Sequence, residues 1–371
     1  MDILLQDNLG YDVWEVEDIP NNTISSIWIL GKSYKYEELE RIRDMVMSIL
    51  WCTYRKAFPP LGSSQYTSDK GFGCMLRCGQ MLLAEALKRV HLGSFTWSRD
   101  TKDKIYLSIV NRFEDNKNAP YGIHQIGTMG QDSGKNIGEW FSPNVIAQVL
   151  KKLVRLDESS NLVVHVALDH QVATEEILEL QDTSEWKPIL IIIPLRLGLN
   201  EVNPIYIDGL KKCLELKETL GIIGGRPNQA LYFIGYVGDD ILYLDPHTCQ
   251  RSGTVGNKEN QTEIEFDETY HQRFAGRMTF SSMDPSIAVS FICKTRHDFN
   301  NLIEQLSKKD DKTPLFEVIQ SRAIPWTASS SMASSRDLEQ DLTEICGGQS
   351  HDDFEEVRKE EGSEDEFEII E

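Results

Sequence analysis

From Thr67 to Leu87 the chain reads TSDKGFGCMLRCGQMLLAEAL. Gly71 and Gly73 punctuate a loop that delivers Cys74 to the start of a predicted helix. Met75, Leu76, Gly79, Met81, Leu82, Leu83, Ala86 and Leu87 supply the apolar side of that helix, and no proline interrupts it. A thiol at a helix N-terminus sits beside backbone N–H groups without intrahelical partners and beside the positive end of the helix dipole. Both favour the thiolate, which is the nucleophilic form. Two residues without a Cβ leave room for another chain to approach the sulfur. The arrangement suits attack on a carbonyl carbon.

Working outward, Tyr36–Arg55 carries apolar residues at Leu39, Ile42, Met45, Val46, Ile49 and Leu50 and reads as a helix, ended by Phe58-Pro59-Pro60-Leu61-Gly62. Asp103–Phe113 reads as another. Tyr121–Gly138 is glycine-rich and reads as irregular, and Ser142-Pro143-Asn144 opens a helix through about Leu153. Leu162–Ala167 and Ile189–Ile193 read as buried strands, and Ile205–Leu216 as a helix. Ala230–Val237 and Ile241–Asp245 flank Gly238-Asp239-Asp240, a strong hairpin signal. A strand at Ile287–Lys294 and a helix at Asp298–Leu306 complete a mixed α+β domain with an antiparallel component.

The 371 residues carry 59 acidic and 38 basic side chains, a net charge of −21 that argues against a nucleic-acid partner. Apolar residues make up 40 % and seven are tryptophan, enough for a substantial core. The N-terminus has no basic stretch of the kind that opens a signal peptide, and the longest apolar run, Ile189–Leu195, is broken by Pro194. A soluble, cytoplasmic protein is expected. Seven cysteines with no C-x-x-C pair indicate reduced thiols, with neither a disulfide framework nor a metal site, and no cofactor motif is read. Residues 336–371 hold 15 Asp/Glu against 3 Lys/Arg, more than half of the net charge. Such a segment buries too little apolar surface to order itself. The expected division is a folded domain over residues 1–325 and a disordered acidic tail over 326–371.

A cysteine nucleophile needs a base, and the base needs an orienting group. His247, in YLDPHTCQ, follows a predicted strand that Pro246 ends, and Asp245 lies two residues earlier on the same side of an extended chain. Cys74, Asp245 and His247 together are chemically complete. The bland readings stay open on residues alone: cysteine is often buried and inert, and Asp-Pro-His after a strand also forms an Asx-type turn. His165 and His170, five apart, would fall on opposite faces of a strand, which disfavours a metal pair. His271, in YHQRF, reads as a surface loop residue.

Taken together, GFGCMLRCGQM, IHQIGTMG, PNVIAQVLKKL, IIIPLRLG, GIIGGRPN, YFIGYVG and YLDPHTCQ resemble the motif blocks of the autophagins, in the family's order, over roughly residues 25–320. Autophagins are cysteine proteases that process the ubiquitin-like modifiers of autophagy. The resemblance implies a papain-like fold with a small added α/β subdomain at roughly residues 160–225. It implies Cys74 as nucleophile, His247 as base, Asp245 as orienting acid and Tyr54, in WCTYRKAF, as a side-chain donor to the oxyanion hole. Tyr54 would otherwise pass for an ordinary amphipathic-helix residue. Trp140, in GEWFSPN, matches a tryptophan that covers the cleft, and Gly224-Gly225-Arg226-Pro227 matches a loop that lifts for substrate. Composition alone makes that loop a mobile turn with a stiff end. Cys78, one helical turn past Cys74, is the second thiol for the oxidative inhibition that the likeness implies.

The chain also departs from the family's pattern. Phe72 stands where tryptophan is usual, Leu231 replaces a histidine, and Tyr11-Asp12-Val13-Trp14 lacks the usual aromatic-x-x-aliphatic motif. Such a motif occurs in the tail instead, as Phe367-Glu368-Ile369-Ile370 after Glu364-Asp365-Glu366. There Phe367 and Ile370 would fill two pockets of a modifier while the segment adds a strand to its sheet edge. The expected activity is cleavage of a ubiquitin-like autophagy modifier after glycine, and its release from phosphatidylethanolamine, by a monomeric enzyme close to the membrane only through its lipidated substrate. The rival readings are a papain-like deubiquitinase and a non-catalytic modifier-binding scaffold.

Overall fold

Along Gln229–Val237, Ala230, Tyr232 and Ile234 turn to one apolar layer while Leu231 and Phe233 turn to another. This period-two burial on both sides is the mark of a sheet covered on both faces. The computed structural model describes residues 19–20, 23–181, 185–255, 263–308 and 314–322. All of them lie in one unit, Met1–Arg322; the acidic tail belongs to a second unit, Ala323–Glu371, outside the described residues.

The strands are β1 (Ile27–Ile29), β2 (Lys32–Tyr34), β3 (Tyr54–Lys56), β4 (Val163–Val166), β5 (Gln171–Ala173), β6 (Ile189–Arg196), β7 (Thr219–Arg226), β8 (Gln229–Val237), β9 (Asp240–Leu244), β10 (Cys249–Arg251), β11 (Gly276–Thr279), β12 (Ser286–Cys293) and β13 (Glu317–Ile319). The helices are α1 (Leu39–Met47), α2 (Cys74–His91), α3 (Lys104–Asn111), α4 (Ile123–Gln131), α5 (Pro143–Leu156), α6 (Thr174–Glu179), α7 (Ile207–Glu215), α8 (Glu263–Glu268) and α9 (Arg296–Leu306). The main sheet runs β11-β9-β8-β7-β12-β6-β4, with β1 and β2 added through β8. Its long pairings are antiparallel, and β4 joins β6 in parallel. Pro194 is tolerated in β6 because β4 pairs only as far as Ile192, so its missing N–H falls where no described strand needs it. One apolar layer holds α1, α2 and α5; the opposite layer holds α7 and α9. Residues 160–225 supply β4, β6 and β7 to this same sheet.

Helix α2 is central. Every side chain from Cys74 to Lys88 is buried, so its polar side faces protein as well. Arg77 bridges Asp69 (2.8 Å) and Asp115 (2.7 Å), Gln80 donates to the Tyr121 carbonyl (2.8 Å), and Glu85 pairs with Lys88 and Arg89. Buried polar groups are affordable when partnered in this way.

Three local expectations change. The helix expected over Tyr36–Arg55 stops at Met47, where the Ser48 hydroxyl donates to the Asp44 carbonyl (2.6 Å). Ile49, Leu50 and Cys52 then run buried to β3, which pairs in parallel with β10. Within Tyr121–Gly138 lies helix α4. One of its two glycines is there for packing: a Cβ on Gly130 would strike the Phe141 ring, whereas one on Gly127 would meet open space. Gly224, Gly225 and Arg226 are strand residues, paired with Leu231, Ala230 and Gln229; the turn proper is Pro227-Asn228, with Asn228 at φ +64°. By contrast Asp103 and Ser142 cap α3 and α5 as their sequence suggests, and Gly238 turns β8 into β9.

Candidate active site

The loop before α2 is wound round Asp69. Its main-chain carbonyl accepts from Gly73 N (2.8 Å) and Phe72 N (3.2 Å), while its carboxylate accepts from Arg55 N (2.6 Å) and Arg77 Nε (2.8 Å). Gly71 takes φ +97°, and a Cβ at Gly73 would collide with the Asp69 carboxylate. Cys74 is thereby fixed as the first residue of α2, 2 % exposed.

Two further segments close on the sulfur. Tyr54 N donates to the Pro246 carbonyl (2.9 Å), and Trp51 Nε1 donates to the Asp245 carbonyl (2.7 Å). These bonds fasten the β9–β10 loop beside β3. Asp245 Oδ1 accepts from His247 N (2.8 Å) and meets His247 Nδ1 at 2.5 Å. The Asx-type turn and the orienting carboxylate are therefore one structure. With Nδ1 so engaged, the buried Nε2 has no hydrogen-bond partner and is the nitrogen left to face the nearby Cys74 sulfur. The Tyr54 ring stands edge-on to the imidazole, centroids 5.3 Å apart, with its hydroxyl near the sulfur.

The electrostatics follow from these contacts. Burial pushes the Cys74 thiol up, but hydrogen bonds from His247, the Ala230 main chain and Tyr54, with the imidazolium charge, outweigh it and hold the thiol below its ordinary value. Burial disfavours the charged imidazole too, yet Asp245 and the Cys74 sulfur together lift His247 to about 9. Asp245 is held low against its own burial by His247 and, more weakly, by Arg226. Tyr54 is raised by burial first and then by the adjacent thiolate, so its proton stays available for donation. At neutral pH His247 is therefore protonated, beside a thiol shifted toward the thiolate and a phenol donor.

Residues 39–305 match the peptidase C54 catalytic domain. The chain belongs to the peptidase C54 family, the autophagins. It is 42 % identical over 353 residues to "Cysteine protease ATG4B" of Gallus gallus, covering 84 % of this chain and 88 % of that protein. "Cysteine protease ATG4A" of Homo sapiens is 40 % identical over 347 residues, covering 84 % and 86 %. The autophagin is thus a cysteine protease.

Trp140, on the α4–α5 segment of this autophagin, is 43 % exposed, whereas its neighbour Phe141 is buried. The same segment is fastened toward the nucleophile: Gly138 packs on the Tyr66 ring, and Tyr66 packs on Phe72, centroids 5.5 Å apart. Phe72 so keeps an aromatic contact two residues before Cys74. Leu231 faces the layer opposite α2, in the core with Phe233. Cys78 is fully buried, and burial followed by the Cys74 charge pushes its thiol well up. His165 is buried in β4, but His170 lies beyond that strand at φ +57°, so the two never share it. His271 is not a surface residue: its ring is stacked on Trp97 (3.7 Å), with Nδ1 on the Met47 carbonyl (2.6 Å) and Nε2 on Tyr106 Oη (2.7 Å). Among the described residues no group of three or more His, Cys, Asp or Glu side chains is arranged to hold a metal ion. Tyr11–Trp14, Phe367 and Ile370 lie outside the described residues.

Sequence reasoning passed over Trp51, Asp69 and Ala230. Only Asp69 left a local trace, as a short acidic side chain immediately before a glycine loop.

Proposed function

We propose that this autophagin is a papain-like endopeptidase that cleaves a ubiquitin-like autophagy modifier after a glycine near its C-terminus and releases the same modifier from phosphatidylethanolamine. The carrying observation is that Asp245, His247 and Tyr54 converge on Cys74, with Asp245 hydrogen-bonded to His247 and the Tyr54 ring edge-on to it. The Cys74 thiolate attacks the glycine carbonyl carbon. The oxyanion that forms is held by the Tyr54 hydroxyl and the Cys74 N–H, the latter at a helix end where N–H groups lack intrahelical acceptors. His247, carrying its proton on Nε2, gives it to the leaving amine as the C–N bond breaks. It then takes a proton from water, which attacks the thioester and frees Cys74. An amine leaves in both reactions, so one site serves peptide and lipid amides alike.

Trp140 and the Gly224–Pro227 hairpin end act as the gate that admits glycine and turns away larger side chains. The tail carries Phe367 and Ile370 to the modifier's sheet edge and so raises local substrate concentration. The working form is a cytoplasmic monomer. The test is purified enzyme offered modifier and ubiquitin precursors, with Cys74→Ala as control. Cleavage of the modifier alone, lost in the variant, is expected. Cleavage of ubiquitin alone would make it a deubiquitinase, and cleavage persisting in Cys74→Ala would remove Cys74 from the chemistry.

A further inference from the structure

The two oxyanion donors come from different elements. Tyr54 begins β3, and Cys74 begins α2. Neither element dictates where the other lies, so something must hold them in register. The residue that touches both is Asp69. One carboxylate oxygen takes the N–H of Arg55, next to Tyr54, at 2.6 Å; the other takes Nε of Arg77, in the first turn of α2, at 2.8 Å. Its carbonyl takes the N–H of Gly73, next to Cys74, at 2.8 Å, and its own N–H returns to the Arg55 carbonyl at 3.3 Å. Asp69 is fully buried, and its charge is offset by Arg77, which is in turn shared with Asp115. Buried ionic triads are often replaceable by apolar residues without loss of stability, so stability alone is a poor reason to keep this one. Fixing a register is the better-attested use of such groups.

We propose that Asp69 is a positioning residue, one that sets the Tyr54 hydroxyl against the Cys74 sulfur and so shapes the oxyanion hole. It rests on the reading of Tyr54 as an oxyanion donor. Asp69 touches no reacting atom; it acts through Arg55 N and Gly73 N. Asp69→Asn keeps the shape and the acceptor for Arg55 N but turns an amide donor toward Arg77 Nε. A shift of about 1 Å at the donor is worth about 10²-fold in rate.

The test is a double-mutant cycle on precursor cleavage with Tyr54→Phe and Asp69→Asn, beside iodoacetamide alkylation of Cys74 as a function of pH. Each single variant is expected to lower kcat about 10- to 100-fold with KM within about twofold. The pair is expected to be little worse than Tyr54→Phe alone, and the alkylation profile unmoved. Additive losses, a silent Asp69→Asn beside a disabled Tyr54→Phe, or loss of alkylation with Asp69→Asn would overturn the role of Asp69. A silent Tyr54→Phe would instead remove Tyr54 from the oxyanion hole, and this proposal with it. If Asp69→Asn does not fold, Arg77→Lys, which leaves Arg55 N on the first carboxylate oxygen of Asp69 while disturbing the second and the Asp115 pairing, goes through the same cycle under the same criteria.

Discussion

Replacing Asp245 by Asn removes the charge that keeps His247 protonated while leaving a side chain of the same size. In the intact site the imidazole is lifted from its ordinary 6.5 to about 9, with Asp245 Oδ1 2.5 Å from Nδ1. That difference corresponds to about 3 kcal/mol favouring the imidazolium. The sign is that of a raised base: the stabilisation is complete below about 6.5 and is lost as pH rises through about 9. The wild-type enzyme should therefore keep His247 protonated across neutral pH, with the alkaline limb of kcat/KM near 9. In Asp245→Asn burial still disfavours the charged imidazole and only the Cys74 contribution opposes it, so the limb should fall from near 9 toward or below neutrality. Loss of both charge and ring orientation should lower kcat by about 10²–10⁴-fold at pH 8. The assay is steady-state cleavage of modifier precursor from pH 5 to 10, with parallel alkylation of Cys74. An alkaline limb still near 9 in the variant would refute the reasoning, because some other group would then be holding the proton.

Gly130→Ala should lower stability by about 1–2 kcal/mol, since the new methyl meets the buried Phe141 ring and the gain in helix propensity offsets only part of the overlap; thermal unfolding checks this, and an unchanged Tm would count against it. At pH 6 a small alkylating reagent should label Cys74 before Cys78 and Cys52 in the native protein, because burial holds Cys78 well up and Cys52 at about 12; mass spectrometry showing either labelled as fast would contradict this assignment. Trp140→Ala should let the enzyme cut a precursor with alanine in place of the cleaved glycine at least ~10-fold faster than the wild type does; equal selectivity would take Trp140 out of the gate.

What the sequence made legible was local. The α2 apolar run, the Ser142 cap and the Gly238 turn are written in neighbouring residues, and each forms as read. Asp245 and His247 were legible for the same reason. Tyr54 was not, because its strand exists only by pairing with Cys249–Arg251, far away in the chain, while its own surroundings carry helical spacing. The same holds for α4, where Gly130 looks like a loop residue until Phe141 is packed on it. Nothing local announced that the polar side of α2 is buried, since Arg77 and Glu85 need partners from other segments or the next turn. The link between Asp69 and β3 is invisible for that reason too.

The burial of α2 on every side has a consequence for the order in which the protease matures. The helix that carries the thiol is covered by β7 and β8, and the imidazole that charges the thiol follows β9. On the ribosome all of these emerge long after Cys74. A nascent chain that ends before residue 247 carries an ordinary cysteine, without its proton acceptor and without the walls that exclude water. The site is completed only as the fold that surrounds α2 is completed.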